Sequence, residues 1–369
     1  MINTAVLEPT APAAEARRAL DTLLRQLVAM GGSDLHLTAG IAPCVRVDGQ
    51  LARLPGLAAL SSADTEGLAR AAVSEPQWSA FDLTRELDTS YSVPGVSRFR
   101  LNAYHQRGSV GMVFRAIPFQ IPALEDLGLP LSIERFAHLQ RGLVLITGPT
   151  GSGKSTTMAS LLDVANRTRA AHIVTIEDPI EYLHAHQKSV VNQREVGTDT
   201  ADFSVALKHV LRQDPDIILV GELRDLETTS VAITAAETGH LVLATLHTQS
   251  AAQTVDRLID IFPAHQQSQI RSQLANCLQG VITQALAPRR DGSGRTPICE
   301  VLIASPAVRS LIREGKVHQI PTVMQSSGEL GMVSFDQSLA NSYGDLLISK
   351  HTALELAHDP DVLQRLARF

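Results

Sequence analysis

The chain has little cysteine. Cys44, Cys277 and Cys299 are its only three, scattered and forming no C-x-x-C pair. That argues against a tetracysteine zinc site and fits a reducing compartment. Long apolar runs are missing as well: none approaches the roughly 18 residues needed to cross a bilayer. The first residues lack a basic start followed by an apolar core, so no secretion signal is expected. Positive charge is not in excess. The formal net charge is −6, from 32 Lys and Arg against 38 Asp and Glu, so no global basic field points to nucleic acid. No internal repeat or long low-complexity segment is found. These absences leave a cytoplasmic protein as the expectation, one able to dock onto a membrane complex.

What is present is enough for two domains: 369 residues, 44% of them hydrophobic. The chain is organised around Gly148, Pro149, Thr150, Gly151, Ser152, Gly153, Lys154, Ser155 and Thr156, which follow the apolar run Leu143-Val144-Leu145-Ile146. They satisfy G-x-x-x-x-G-K-[ST] between a strand and a helix. Glycines at 148, 151 and 153 let the backbone wrap around phosphate oxygens. The loop N–H groups and the helix N-terminus then favour an anion. Lys154 reaches the β- and γ-phosphates and the Ser155 hydroxyl serves Mg²⁺. ATP and Mg²⁺ are the cofactors this pattern calls for.

Residues 1–15, rich in Ala, Pro and Thr, read as a disordered tail. A helix is expected over 16–30, where Leu20, Leu23, Leu24, Leu27 and Val28 form one stripe and Gly31-Gly32 ends it. Short strands follow: 34–37, then 44–47 turning at Asp48-Gly49 into 50–53, a hairpin pattern. Ser61 and Ser62 cap a helix running to about Val73. Further strands fall at 87–93, 97–106 and 109–117. Residues 16–117 thus read as a small α+β domain. Pro118, Pro122 and Pro130 mark 118–132 as a linker. From there to 369, β-branched runs alternate with helical stretches, which implies a parallel sheet. Its strands are placed at 143–147, 173–176, 217–220 and 241–246. Its helices are placed at 155–167, 203–211, 226–237 and 252–260, and a helical part begins at about Pro306.

Three of these strands end in polar residues. Residues 173–176 run into Glu177-Asp178-Pro179-Ile180-Glu181. Two carboxylates beside a phosphate site orient a water or hold Mg²⁺, although Glu-Asp-Pro alone is an ordinary turn. Residues 217–220 end in Gly221-Glu222, where most phosphate-loop enzymes carry an Asp at the position of Gly221. Glu222 then becomes the metal- or water-directed acid, with Ser155 and Asp178 as the other metal candidates. His240 opens the fourth strand and His247 closes it. Such histidines read first as satisfied surface or core groups; facing a γ-phosphate, they would report its presence.

Taken in order, GPTGSGKST, TIEDPIEY, DPDIILVGELRD and TAAETGHLVLATLHT resemble the Walker A motif, Asp box, Walker B motif and His box of the secretion ATPase superfamily. Ser33 to Leu37, Val45 to Gly49, and Ala307 to Glu314 resemble its pilus-retraction branch, the last matching the branch motif AIRNLIRE. The resemblance covers about Ser33 to Ser349. It implies a PAS-like N-terminal domain joined to a RecA-like ATPase domain, assembled as a homohexameric ring. ATP would sit between the domains and be hydrolysed to move them, powering pilus retraction and twitching motility. Glu177 resembles the water-activating glutamate and Glu222 the Walker B acid, with the choice of base left open. Arg98, Arg100 and Arg115 match arginines that close over the phosphates; on their own they read as solvated strand-face groups. The implied partners are an inner-membrane pilus platform protein, at whose cytoplasmic face the ring would sit, and a retraction paralogue.

The AIRNLIRE helix, with Arg309, Leu311, Ile312, Arg313 and Glu314 as coupling candidates, is implied to serve retraction more than hydrolysis. Val308 and Ser310 depart from that motif, and Leu223 replaces a usual Met. The chain reads as a retraction motor or its paralogue. An assembly or secretion ATPase is disfavoured by the missing tetracysteine site. An adaptor that hydrolyses poorly is disfavoured by the intact Lys154, Glu177 and Glu222, and a DNA translocase by the charge balance. Lys154→Ala is predicted to abolish ATP hydrolysis through lost phosphate binding; phosphate release at the wild-type rate would overturn the phosphate-loop reading.

Overall fold

The computed structural model of the chain describes residues 11–47, 49–117 and 120–367. Most of the expected tail (1–10), Asp48 of the expected hairpin turn and Pro118 of the expected linker lie outside the described residues. The chain divides into two compact units, 1–119 and 120–369.

The first unit opens with α1 (Ala11–Ala29), whose Leu20, Leu24 and Leu27 are fully buried. The helix starts earlier than the leucine stripe does. Its first turns are rich in alanine, the best helix former, so residues 11–15 are helical rather than disordered. Next come β1 (Asp34–Leu37), β2 (Cys44–Val47) and β3 (Gln50–Arg53), then α2 (Ser62–Ala72) and α3 (Glu75–Thr84), then β4 (Glu86–Val93), β5 (Ser97–Gln106) and β6 (Ser109–Ala116). Helix α2 is held by a capping box in which Ser61 and Asp64 serve each other's backbone N–H groups. Helix α3 was not expected from the sequence; it carries Phe81 into the core and closes on Arg85 in a left-handed conformation.

The strands form one antiparallel sheet in the order β3-β2-β1-β6-β5-β4. Register places Leu35, Phe114 and Leu101 in one cross-strand row, all fully buried with Phe99 and Met112. The alternation of strands puts the other row, Arg46, Asp34, Arg115, Arg100 and Ser90, on the opposite face.

The second unit begins with two 3₁₀ segments, Leu124–Leu127 and Leu131–His138. The expected linker is therefore largely part of this domain. Its prolines punctuate the chain, but Leu124, Ile133 and Phe136 are apolar anchors, and all three are buried in its core. Then follow β7 (Gly142–Thr147), α4 (Lys154–Thr168), β8 (His172–Glu177), β9 (Val190–Glu195), α5 (Phe203–Val210), β10 (Ile217–Val220), α6 (Leu226–Thr238), β11 (Leu241–Leu246), α7 (Ala251–Asp260) and α8 (Ala264–Cys277). The chain closes with β12 (Leu278–Pro288), β13 (Arg295–Ile303), α9 (Pro306–Arg313), α10 (Ile320–Gln325), α11 (Phe335–Gly344), α12 (Lys350–Leu356) and α13 (Pro360–Ala367).

The sheet order is β13-β12-β7-β11-β10-β8-β9. It is parallel except for β13, which runs antiparallel to β12. Residues of β7 alternate between two cores: Leu143 and Leu145 face one, Val144 and Ile146 the other. Burial on both faces explains why β7, β10 and β11 read as unbroken apolar runs. Strands β9, β12 and β13 were missed. Strand β9 is a polar edge strand, and the β12–β13 pair lacks the alternation with helices that marks its neighbours. Cys277 and Cys299 are buried, and burial pushes both thiols up to about 12. No helix among the described residues is long and apolar enough to cross a membrane.

Phe136 is 2% exposed and packs among residues of the β7-side core. Phe136→Ala is predicted to cost about 3–5 kcal/mol in urea denaturation. A loss below about 1 kcal/mol would mean that the 120–138 segment is not integral to this unit.

Candidate functional site

Parallel strands bring their carboxyl ends to one edge, and loops there carry the polar residues. Four such ends meet in this unit: Thr147 of β7, Glu177 of β8, Val220 of β10 and Leu246 of β11. They surround a cleft of about 600 Å³ lined by the phosphate loop, Glu177, Asp178, Glu181, Glu222, Arg224 and His247. Backbone bonds stitch the strand ends together: Gly221 N–H donates to Ile176 O (2.8 Å) and Leu223 N–H to Thr245 O (3.0 Å).

The phosphate loop leans on β12. At Gly148, φ is +136°, and a β-carbon there would lie 2.1 Å from the Gln284 carbonyl oxygen. No other residue fits that conformation and that space. Gly153 takes the left-handed N-cap position of α4. The Thr147 and Thr283 hydroxyls meet at 2.9 Å, and Thr157 Oγ1 donates to Gln284 Oε1 (2.9 Å). Lys154 Nζ donates to the carbonyls of Gly148 (2.8 Å) and Pro149 (3.0 Å), which sets the ammonium over the loop. Burial draws Lys154 below its ordinary value, against the opposing charges of Glu222 and Glu181. Thr150, Gly151, Ser155 and Thr156 also line the cleft, whereas Ser152 is buried beneath the loop.

The two glutamates sit in different electrostatic settings. Burial raises the Glu177 carboxyl above its usual range, although Thr175 Oγ1 (2.6 Å) and Gln193 Nε2 (3.1 Å) both donate to its Oε1. Burial acts on Glu222 in the same direction but is outweighed. Arg224 Nη2 lies 2.7 Å from one oxygen and His247 Nε2 3.2 Å from the other, and the carboxyl falls below its ordinary value. One cleft therefore holds a carboxylate with raised proton affinity and a second that stays charged. Burial also holds the His184 imidazole down to about 4, which keeps that ring neutral.

His247 stands in the cleft, but His240 does not. It precedes β11, at the amino end, with its ring Nδ1 3.0 Å from the Ala235 carbonyl. Seven residues of extended chain carry it about 20 Å from His247, so the expectation that both report on a phosphate is corrected for His240. The three arginines belong to the first unit. Arg98 Nη2 donates to Ser90 Oγ (2.6 Å), Arg100 lies 3.5 Å from Asp88, and Arg115 Nε donates to buried Asp34 (2.8 Å). Register makes Arg100 and Arg115 direct cross-strand neighbours. Asp34 supplies the opposite charge to that row. Bonds from Ser33 and Arg115 outweigh its burial and keep its carboxyl below the ordinary value.

The coupling helix divides in two. Ile312 is fully buried and Leu311 packs against the same core. Arg309 turns inward. Its guanidinium donates to the carbonyls of Ala275 (2.6 Å), Asn276 (2.8 Å) and Ala304 (2.9 Å). Only Arg313 and Glu314 of the five are exposed, Glu314 accepting from Ser310 (2.9 Å) and Lys316 (2.8 Å). Of the five coupling candidates, two are exposed, because i, i+3, i+4 spacing turns one stripe of a short amphipathic helix inward.

Sequence reasoning passed over Thr175, Tyr182, Gln193, Arg224 and Arg295. Tyr182 OH meets Thr156 Oγ1 at 2.9 Å, and Arg295 Nη1 lies 3.4 Å from Gly151 O. Arg224 was legible as the basic residue two positions after Glu222. Gln193 carried no signal, because its strand is polar and lies at the sheet edge.

The chain is similar to known proteins along most of its length. Residues 129–341 match the family model described as type II/IV secretion system protein. The chain is 50% identical to the type IV pilus retraction ATPase PilT of Pseudomonas aeruginosa over 331 residues, covering 90% of this chain and 96% of that one. It is 42% identical to the type IV pilus ATPase PilU of the same organism, over 95% of this chain and 91% of the other. A crystal structure of the pilus retraction motor PilT with bound ADP superposes with a TM-score of 0.87 at 47% identity, covering 94% and 98% of the two chains.

Arg309 closes the carboxyl end of α8, whose last carbonyls carry partial negative charge. Arg309→Ala is predicted to lower unfolding stability by about 2 kcal/mol, through the charged bonds it forfeits. An unchanged denaturation midpoint would mean that these bonds do not hold α8 and α9 together.

Proposed function

The chain belongs to the type II/IV secretion system protein family and is an ATPase, and we propose that it is the motor that powers type IV pilus retraction. The observation that carries this reading is the convergence of the phosphate loop, Glu177, Glu222 and His247 on one carboxyl edge, in a chain similar along most of its length to a retraction ATPase. Nucleotide binding follows from the loop. Its N–H groups, the α4 terminus and Lys154 offer three kinds of positive potential to phosphates.

Glu177 is the water-activating group. Burial raises its proton affinity above that of an ordinary carboxylate, the direction that suits a general base. Glu222 keeps its charge and lines the cleft with Ser155 and Asp178; all three are oxygen donors, as Mg²⁺ prefers, and would hold that ion. Bound there, Mg²⁺ would neutralise charge on the β- and γ-phosphate oxygens. His247, within 3.2 Å of Glu222, ties the Walker B acid to the end of β11 and serves as the switch. Arg98, Arg100 and Arg115 share one polar face of the first unit's sheet, held there by Ser90, Asp88 and Asp34.

The protein works as a homohexamer at the cytoplasmic face of the inner membrane, where exposed Arg313 and Glu314 meet a platform protein. No direct contact with nucleic acid is part of this function. A second reading, an accessory retraction paralogue, is favoured by the similarity to PilU. Complementation of twitching in a strain lacking its principal retraction ATPase separates the two.

Steady-state ATP hydrolysis tests the roles. Glu177→Gln is expected to lower kcat by about 10²- to 10⁴-fold with nucleotide still bound. Glu222→Gln is expected to weaken the dependence on Mg²⁺ as well as turnover. Equal turnover in wild type and Glu177→Gln would remove the base assignment.

A further inference from the structure

Glu177 needs more than the right proton affinity, because a carboxylate that pivots freely activates water at many angles and most of them are unproductive. Its surroundings hold one orientation. In the parallel pairing of β8 with β9, Thr175 stands opposite Gln193 and Glu177 opposite Glu195. Residues two apart on a strand share a face, so Thr175, Glu177 and Gln193 are neighbours on one side of the sheet.

Gln193 uses its carboxamide in three bonds. Nε2 donates to Glu177 Oε1 (3.1 Å) and to the Tyr182 carbonyl (2.8 Å), while Oε1 accepts from the His184 N–H (2.8 Å). The partners settle the amide orientation. Turned over, its oxygen would face a carboxylate and a carbonyl, and its NH₂ would face an N–H. Thr175, fully buried, places its hydroxyl 2.6 Å from the same carboxylate oxygen. Two donors of fixed direction on one oxygen define the carboxylate plane. The loop that follows is anchored by the same amide, and its Tyr182 hydroxyl reaches Thr156 of the phosphate loop.

We infer that Gln193 is a positioning residue for hydrolysis: from the edge strand it sets the plane of the Glu177 carboxylate and ties that plane to the phosphate loop through residues 182–184. The inference rests on Glu177 being the water-activating group. Gln193 is set on β9, which brings no other side chain to the Glu177 carboxylate among the hydrogen bonds described. The edge strand thus reaches the Glu177 carboxylate through this amide.

The test is steady-state MgATP hydrolysis by the purified full-length protein, alongside equilibrium binding of a fluorescent ADP analogue. Gln193→Met keeps the length of the side chain and removes all three bonds. Its kcat is expected to fall about tenfold to a hundredfold, while KM and ADP affinity stay within about threefold of wild type. Thr175→Val removes the other donor with little change in shape and is expected to give the same split; it carries the test if Gln193→Met does not fold. In a Glu177→Gln background, Gln193→Met should cost nothing further, because there is no longer a base to orient. Wild-type kcat in Gln193→Met beside an inactive Glu177→Gln overturns this inference alone, as does a loss of ADP affinity that parallels the loss of kcat. Full turnover in Glu177→Gln removes the base assignment itself, and the inference with it.

Discussion

A single close approach governs the nucleotide site: the carbonyl of Gln284 stands where any side chain at position 148 would begin. Strand β12 presses on the phosphate loop from below, with Thr283 bonded to Thr147 and Gln284 to Thr157 on either side of the turn. The loop conformation is therefore imposed by its neighbour as well as permitted by its glycines. From this follow the entry of α4, the direction of its dipole and the seat of Lys154. Pairing of β7 with β11, and of β11 with β10, then brings His247 and Glu222 to the same edge.

That edge was largely legible in the sequence, because each strand end carried an unusual polar residue after an apolar run. The phosphate loop, Glu177, Glu222 and His247 all fall where pattern places them. Less was legible wherever function depends on what lies beside a strand rather than along it. His240 and His247 bracket the same strand symmetrically in sequence, yet parallel pairing sends them to opposite edges. Helix α9 reads as one motif, but its periodicity buries Ile312, half-buries Leu311 and turns Arg309 toward α8. Gln193 and Thr175 act across a pairing whose register no local signal reveals. Strand β12, which shapes the loop, lies more than a hundred residues downstream of it.

The two glutamates show how one fold separates roles for like groups. Both are drawn toward neutrality by burial. Glu222 escapes because a guanidinium and an imidazole stand on its two oxygens, whereas Glu177 has only neutral donors. Neutral hydrogen bonds orient a carboxylate without supplying the opposite charge that would lower its basicity so far. The two carboxylates thus differ by whether charged or neutral groups hold them.

The seclusion of the thiols has a practical side. Cys277 and Cys299 are enclosed by the ATPase unit and resist ionisation, and Cys44 is buried in the first unit. Thiolate, not thiol, is the form that reacts with electrophiles and peroxides. The native protein is accordingly slow to modify, and a cysteine engineered onto exposed positions such as Arg313 would be the preferred reactive handle. Fluorophores could be attached there without first stripping the chain of its own cysteines.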